Sequence, residues 1–233
     1  MRKIVYLAAV ALLCASCFQV NPNFSPVSTN GKNAVKGEGK VVSKSFDLKD
    51  FDAIRINGQA SDAVFTQSSE YEVTLRTHEN LFDIMDYHVE GTTLVIETKD
   101  KKNFRAEEFE LFIKAPMLKR LEVNGATDFD IPAGLVSEGD LKVEINGAGD
   151  MAFKRIRCAS LRIEINGAAD LEVEDIDVQK VDVDVNGAGD VTLSGKAGTA
   201  SFEVNGAGDI DARNLSVAGE VTKRKAGIAS IKL

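Results

Sequence analysis

Tryptophan is absent from the 233 residues, and proline (four), cysteine (three) and histidine (two) are scarce. So little proline, with 44% apolar and 27% charged residues, excludes a collagen-like or wholly disordered chain. An excess of basic charge is also missing: 28 Lys and Arg stand against 36 Asp and Glu, a net charge of −8. Loss of an N-terminal segment carrying Arg2 and Lys3 would make it −10, so nucleic acid, which needs a basic face, is not an expected partner. No run is long enough to cross a bilayer as a helix, since Ile4–Leu13 holds only ten apolar residues. The length fits one β domain.

What is present begins with that run. Arg2 and Lys3 precede it and Cys14-Ala15-Ser16-Cys17 follows it, which resembles a bacterial lipoprotein signal. The resemblance implies a signal peptide over residues 1–16, cleavage before Cys17 and a lipid anchor on its thiol, hence an outer-membrane lipoprotein facing the periplasm or the surface. Cys14 departs from the pattern, standing where an aliphatic residue is usual; simple secretion is the competing reading. With Cys17 acylated, Cys158 is the one remaining thiol and no internal disulfide forms. Residues 17–45, rich in Asn, Ser, Gly and Lys with Pro22 and Pro26, read as a tether of roughly 30 Å reach.

The body, residues 46–233, is dominated by an internal repeat. Asn124-Gly125-Ala126-Thr127-Asp128 recurs as Asn146-Gly147-Ala148-Gly149-Asp150, Asn166-Gly167-Ala168-Ala169-Asp170, Asn186-Gly187-Ala188-Gly189-Asp190 and Asn205-Gly206-Ala207-Gly208-Asp209, with starts 22, 20, 20 and 19 residues apart. A copy with one inserted residue stands earlier, at Asn57-Gly58-Gln59-Ala60-Ser61-Asp62, and Ala226-Gly227-Ile228-Ala229-Ser230 fills the slot at the end.

Around each Asn, apolar and polar positions alternate as in a half-buried strand. Val123, Ile145, Ile165, Val185 and Val204 stand one before it, and Leu121, Val143, Ile163, Val183 and Phe202 three before. Phe129, Met151, Leu171, Val191 and Ile210 resume the pattern beyond the corner, with Ile131, Phe153, Val173, Leu193 and Ala212 two further on. Twenty residues cannot bury that face alone, so the units stack. Asn-Gly is also a hairpin signal, which keeps a meander or sandwich as the alternative. About five residues separate the flanking apolar positions, however, and identical residues recur in register. The expected fold is therefore all-β: a right-handed parallel β-helix of about 20-residue rungs, with Asn amides stacked about 4.8 Å apart as a ladder.

Residues 46–116 read as a less regular extension of the coil, with strands at 71–77, 93–98 and 109–114. The spacing of Leu81, Ile84, Met85 and His88 predicts a short amphipathic capping helix. At the other end Lys223, Arg224 and Lys225 replace the pattern before the corner, and charge there opposes strand addition.

With Phe51-Asp52-Ala53-Ile54-Arg55-Ile56-Asn57-Gly58 and the later Val-Asn-Gly-Ala-Gly-Asp copies in view, the chain from about Phe46 to Leu233 resembles the head GIN domain family of auto-transporter adhesins. Members more often have Ser than Asn before the Gly. The resemblance implies a β-helical body outside the cytoplasm with an adhesive or structural role, and brings no catalytic residues.

The outward positions form columns. Glu122, Glu144, Glu164, Asp184 and Glu203 stand two before each Asn; Asp128, Asp150, Asp170, Asp190 and Asp209 stand four after. Like charges about 4.8 Å apart repel by about 0.9 kcal/mol even in water. Arg120, Lys142 and Arg162 compensate the first three tiers, whereas Asp182 and Ser201 occupy that column in the last two. Asp182, Asp184 and Asp190 are thus the candidate ligands for calcium. The simpler reading makes each Asp a turn cap and the Glu column a solvated face; no other cofactor is expected.

Catalysis is not expected: His78 and His88 lie outside the repeats, Cys158 sits in a return segment, and the carboxylates belong to unbroken columns. The function read from the sequence is a noncatalytic cell-envelope lipoprotein, membrane-bound through Cys17, whose β-helix face binds a protein, glycan or cell-wall partner. The alternative is a polysaccharide-active or calcium-dependent glycan-binding β-helix, which a groove lined by non-repeated Lys, Arg and carboxylates within residues 46–116 would favour.

Overall fold

Alternating residues commit nearly all of the body to strands. The computed structural model describes residues 34–233. In chain order the strands are β1 (Val35–Lys36), β2 (Val41–Phe46), β3 (Ala53–Gln67), β4 (Glu72–His78), β5 (Met85–Glu90), β6 (Thr93–Thr98), β7 (Phe104–Arg105) and β8 (Phe109–Ala115). They continue as β9 (Arg120–Ile131), β10 (Leu135–Val136), β11 (Asp140–Lys154), β12 (Ile156–Gly187), β13 (Val191–Gly206), β14 (Asp209–Val217), β15 (Val221–Gly227) and β16 (Ser230–Lys232).

From β9 onward the pairing is parallel and keeps the repeats aligned. Asn124 pairs with Asn146, Ile145 with Ile165, Asn186 with Asn205 and Gly206 with Gly227. This is a parallel β-solenoid of about five turns with rungs of about 21 residues. The apolar positions on both sides of each corner all face inward: Val123, Ile145, Phe129, Phe153, Val204 and Ile210 are completely buried. Each such side chain is worth about 1.5–3 kcal/mol when buried, and the burial exists only because the next turn covers it.

The same β3 that begins the coil also ends it. Its residues pair with β9 in register, Asn57 opposite Asn124, and the inserted residue of this copy is absorbed as a bulge between Ala60 and Asp62. On its other side β3 is covered by two separate partners: β6 runs parallel to residues 53–56, and β8 runs parallel to residues 62–67. Each is then followed outward by antiparallel strands, β5 beside β6, and β4 then β2 beside β8. Phe46 of β2 and Tyr87 of β5 stack with centroids 4.4 Å apart, joining the two branches. The cap is thus a pair of antiparallel extensions enclosing Leu75, Leu81, Leu94, Phe109 and Leu111.

Two expectations are corrected here. The helix expected around Leu81–His88 is a single 3-10 turn, Glu79–Leu81, followed by strand β5. Leu81, Ile84 and Met85 are buried as helical spacing demands, but they fill the floor of a hairpin whose turn Gly91 closes at φ 62°. His88 therefore lies on a strand. The tether was expected to reach residue 45, yet β1 and β2 lie before that point and Val35, Val42 and Phe46 pack against the core. Their apolar positions are too few to show a period. The signal segment 1–16, Cys17 and the tether up to residue 33 lie outside the described residues.

Candidate functional site: the corner column and the groove above it

Each corner places an Asn amide over the one before it. Asn124, Asn146 and Asn166 each donate through Nδ2 to the Oδ1 of the preceding rung's Asn at 2.9 Å, and Asn186 and Asn205 do so at 3.2 Å. The chain of amides starts at Asn57, whose Nδ2 donates to Glu97 Oε2 at 2.9 Å. The glycine after each Asn from Asn124 onward is demanded by the stacking itself. A Cβ on Gly125 or Gly147 would fall 1.8 Å from the carbonyl oxygen of the preceding rung's glycine, and on Gly167 or Gly187 2.0 Å.

The aspartate column also works between rungs. Asp128, Asp170 and Asp190 accept, through Oδ1, the backbone N–H of Asp150, Asp190 and Asp209 at 2.8–3.0 Å. The side chain bridges to the next turn where the corner interrupts regular pairing.

The glutamate column is neutralised by cations straddling two tiers. Arg120 lies 3.1 Å from both Glu122 and Glu144, and Lys142 2.9 Å from Glu144 and 3.6 Å from Glu164. Burial pushes the Glu122 carboxyl up, but bonds from Asn124 and Arg55 outweigh it and leave it below its ordinary value. The Lys142 bond leads the same lowering at Glu144.

The calcium ligand set is not assembled. Asp182 pairs with Lys180 at 2.6 Å, a cation the column count overlooked, and Asp190 is occupied by the Asp209 N–H. Asp184 Oδ1 is buried without a hydrogen-bond partner, and burial followed by repulsion from Glu203 and Glu164 raises its carboxyl above the ordinary range. Strand alternation puts Asp182 and Asp184 on one face, while Asp190 lies beyond the corner. Among the described residues, no group of three or more His, Cys, Asp or Glu side chains could hold a metal ion. Glu203 also has a cation, Arg224 at 3.9 Å from the last rung.

Cys158 lies in β12 rather than in a loop. Burial pushes its thiol up to about 11, the state of an inert structural cysteine. His78 Nδ1 faces the Gly39 carbonyl, and His88 lies 3.5 Å from Asp86.

A second feature was not visible in the repeat. Gly58, first in the glycine column, has nothing within 4 Å of where its Cβ would stand. Above it opens a groove of about 560 Å3 lined by Asn57, Gly58, Gln59, Glu97, Thr98, Lys101, Lys102, Asn103 and Phe104, a size within the range of ~300–1,000 Å3 usual for ligand sites. It exists because β6 follows β3 only as far as the corner, then turns away through a 3-10 turn at Lys99–Lys101. Asp100 and Lys101 take left-handed φ values of 56° and 52°, an unfavourable conformation for non-glycine residues. The one sequence sign of this turn is the charged run Lys99-Asp100-Lys101-Lys102.

The architecture recurs in solved structures of low sequence identity. A "putative adhesin" from Parabacteroides distasonis ATCC 8503 is 23% identical, with a TM-score of 0.74 over 85% of this chain and 84% of that one. A "putative adhesin" from Bacteroides fragilis NCTC 9343 is 17% identical, with a TM-score of 0.66 over 85% and 99%. A "putative lipid binding protein" from P. distasonis ATCC 8503 is 19% identical, with a TM-score of 0.62 over 86% and 99%. No curated protein matches the chain. The sequence pattern of the family described as "Putative auto-transporter adhesin, head GIN domain" matches residues 50–233. That match covers most of the sequence and takes in every Asn-Gly corner, and the chain belongs to the head GIN domain family.

Proposed function

We propose that this protein is a noncatalytic adhesin-type lipoprotein of the cell envelope, held to the outer membrane through Cys17, whose solenoid body binds a macromolecular partner at its capped end. The groove over Gly58 carries the reading. At the capped end it is where the backbone of the corner column is left uncovered, and the residues around it belong to no repeat. The groove of non-repeated charged residues that would favour a polysaccharide-active enzyme is thus present, yet its chemistry supports binding instead. Glu97 is its one carboxylate, and that group accepts a bond from Asn57; glycoside cleavage by acid and base requires two. The family's adhesin description agrees with a binding role.

Two measurements test the proposal. Metabolic labelling with an alkyne fatty acid should mark the protein and should fail on Cys17→Ser. Interferometry against purified envelope glycans and surface proteins should give saturable binding that Lys101→Glu/Lys102→Glu weakens. Release of new reducing ends from a glycan would sink the noncatalytic reading.

A further inference from the structure

The geometry points to the Gly58 groove as a docking site for an extended peptide, a partner's segment that stacks on the uncovered corner as one more rung and carries an acidic residue. The inference deepens the binding role proposed above and rests on it.

Three observations select this occupant. First, the groove occupies the position of a missing corner. Along the column every later glycine is covered by the preceding backbone so closely that no side chain fits, with carbonyl oxygens 1.8–2.2 Å from the would-be Cβ on Gly125, Gly147, Gly167, Gly187, Gly206 and Gly227. What covers a face of this shape is another extended backbone, and strand addition supplies affinity through main-chain bonds. Second, the side-chain ladder needs no further member, because Glu97 of β6 already takes the place of a preceding Asn. The open part is Gly58 and Gln59, where main chain rather than an amide ladder is on offer. Third, the rim is cationic. Lys101 has no ion-pair partner among the described residues, and Lys102 meets only Asp100, at 3.6 Å and largely exposed. Both lysines are presented by the left-handed Asp100-Lys101 turn, the kind of backbone outlier found at ligand clamps. An acidic residue of the added segment would meet them.

The chain's own corners stack in this way and end in an acid, so a labelled decapeptide spanning Val183–Thr192, which contains Asn-Gly-Ala-Gly-Asp, serves as the probe. Fluorescence anisotropy with the full chain at low salt should show saturable binding. Lys101→Glu/Lys102→Glu should weaken it at least tenfold, and Thr98→Trp, which fills the groove, should abolish it while leaving the unfolding midpoint unchanged. A probe N-methylated at both glycines, which removes two main-chain donors and keeps the charge, should bind at least tenfold more weakly, a readout that simple charge attraction would not give. Equal binding of the N-methylated probe, or no saturation at millimolar peptide, overturns the inference. If envelope oligosaccharides bind and Thr98→Trp abolishes that binding while the peptide fails, the peptide inference falls and the binding role stands; if neither binds, both fall.

Discussion

The coil and its cap solve one problem in opposite ways. Between residues 120 and 212 each turn is covered by a near-copy of itself, so one set of contacts recurs: amide on amide, glycine on glycine, carboxylate on the next turn's N–H. In the cap β3 meets two unlike partners that diverge at the corner, and the chain turns antiparallel. The coil gains regularity and loses tolerance, because every column position is hemmed in on both sides. The cap gives up regularity, and Gly58 keeps an open face.

The sharpest way to break this contrast is with glycine. Gly147→Ala should destabilise by about 3 kcal/mol or more, since its Cβ would overlap the Gly125 carbonyl and backbone must shift. Gly58→Ala meets no atom and should cost about 1–2 kcal/mol, for its φ of +118° alone. Urea midpoints of the two variants decide it; equal losses would refute the account of the column. Next comes the ladder. Asn146→Ala leaves Asn124 Oδ1 without its donor and Asn166 Nδ2 without its acceptor, and should cost about 2–3 kcal/mol, against about 1 kcal/mol for Asn205→Ala, the last amide of the ladder.

Third is the junction. Thr127 stands where later corners have Gly149, Ala169, Gly189 and Gly208; it is 2% exposed and its hydroxyl has no partner. Thr127→Val should stabilise by about 1 kcal/mol in calorimetry, and a loss instead would show that the hydroxyl is satisfied.

The smallest effect separates the two regions by pH. At the junction, burial and then neighbouring carboxylates raise Asp62, and burial leads the rise of Asp128 and Asp130. Raised carboxyls hold protons more tightly when folded, so their contribution is present below their unfolded values and is lost as pH rises through the folded ones. Glu122 and Glu144 are lowered and behave oppositely, contributing above their unfolded values and losing that as pH falls through the folded ones. Asp62→Asn should therefore raise the melting midpoint slightly at pH 7 and leave it unchanged near pH 3. Asp184→Asn should act likewise, and millimolar calcium should not move the midpoint of the parent protein. A calcium-dependent rise would restore the ligand set Asp182, Asp184 and Asp190.

The coil was legible from sequence because its contacts join like to like: identical residues at constant spacing state both which residues touch and which faces turn inward. The cap joins unlike segments, and single-residue patterns do not report such pairings. Leu81, Ile84 and Met85 share the spacing of a helix with the floor of a hairpin, and β1 and β2 are too short to show alternation. The groove was hidden for the same reason, since Gly58 and Lys101 are brought together by where β6 stops following β3. The cation beside Asp182 was hidden because Lys180 stands one outward position before the column of Arg120, Lys142 and Arg162.

The amide ladder has one further consequence, for how such a protein changes over generations. Each interior Asn gives one hydrogen bond backward and receives one from ahead, so a duplicated or deleted turn leaves the same bonds at its borders. Length can thus vary in whole turns, setting how far the capped end stands from the other, while the cap and its groove are inherited unaltered.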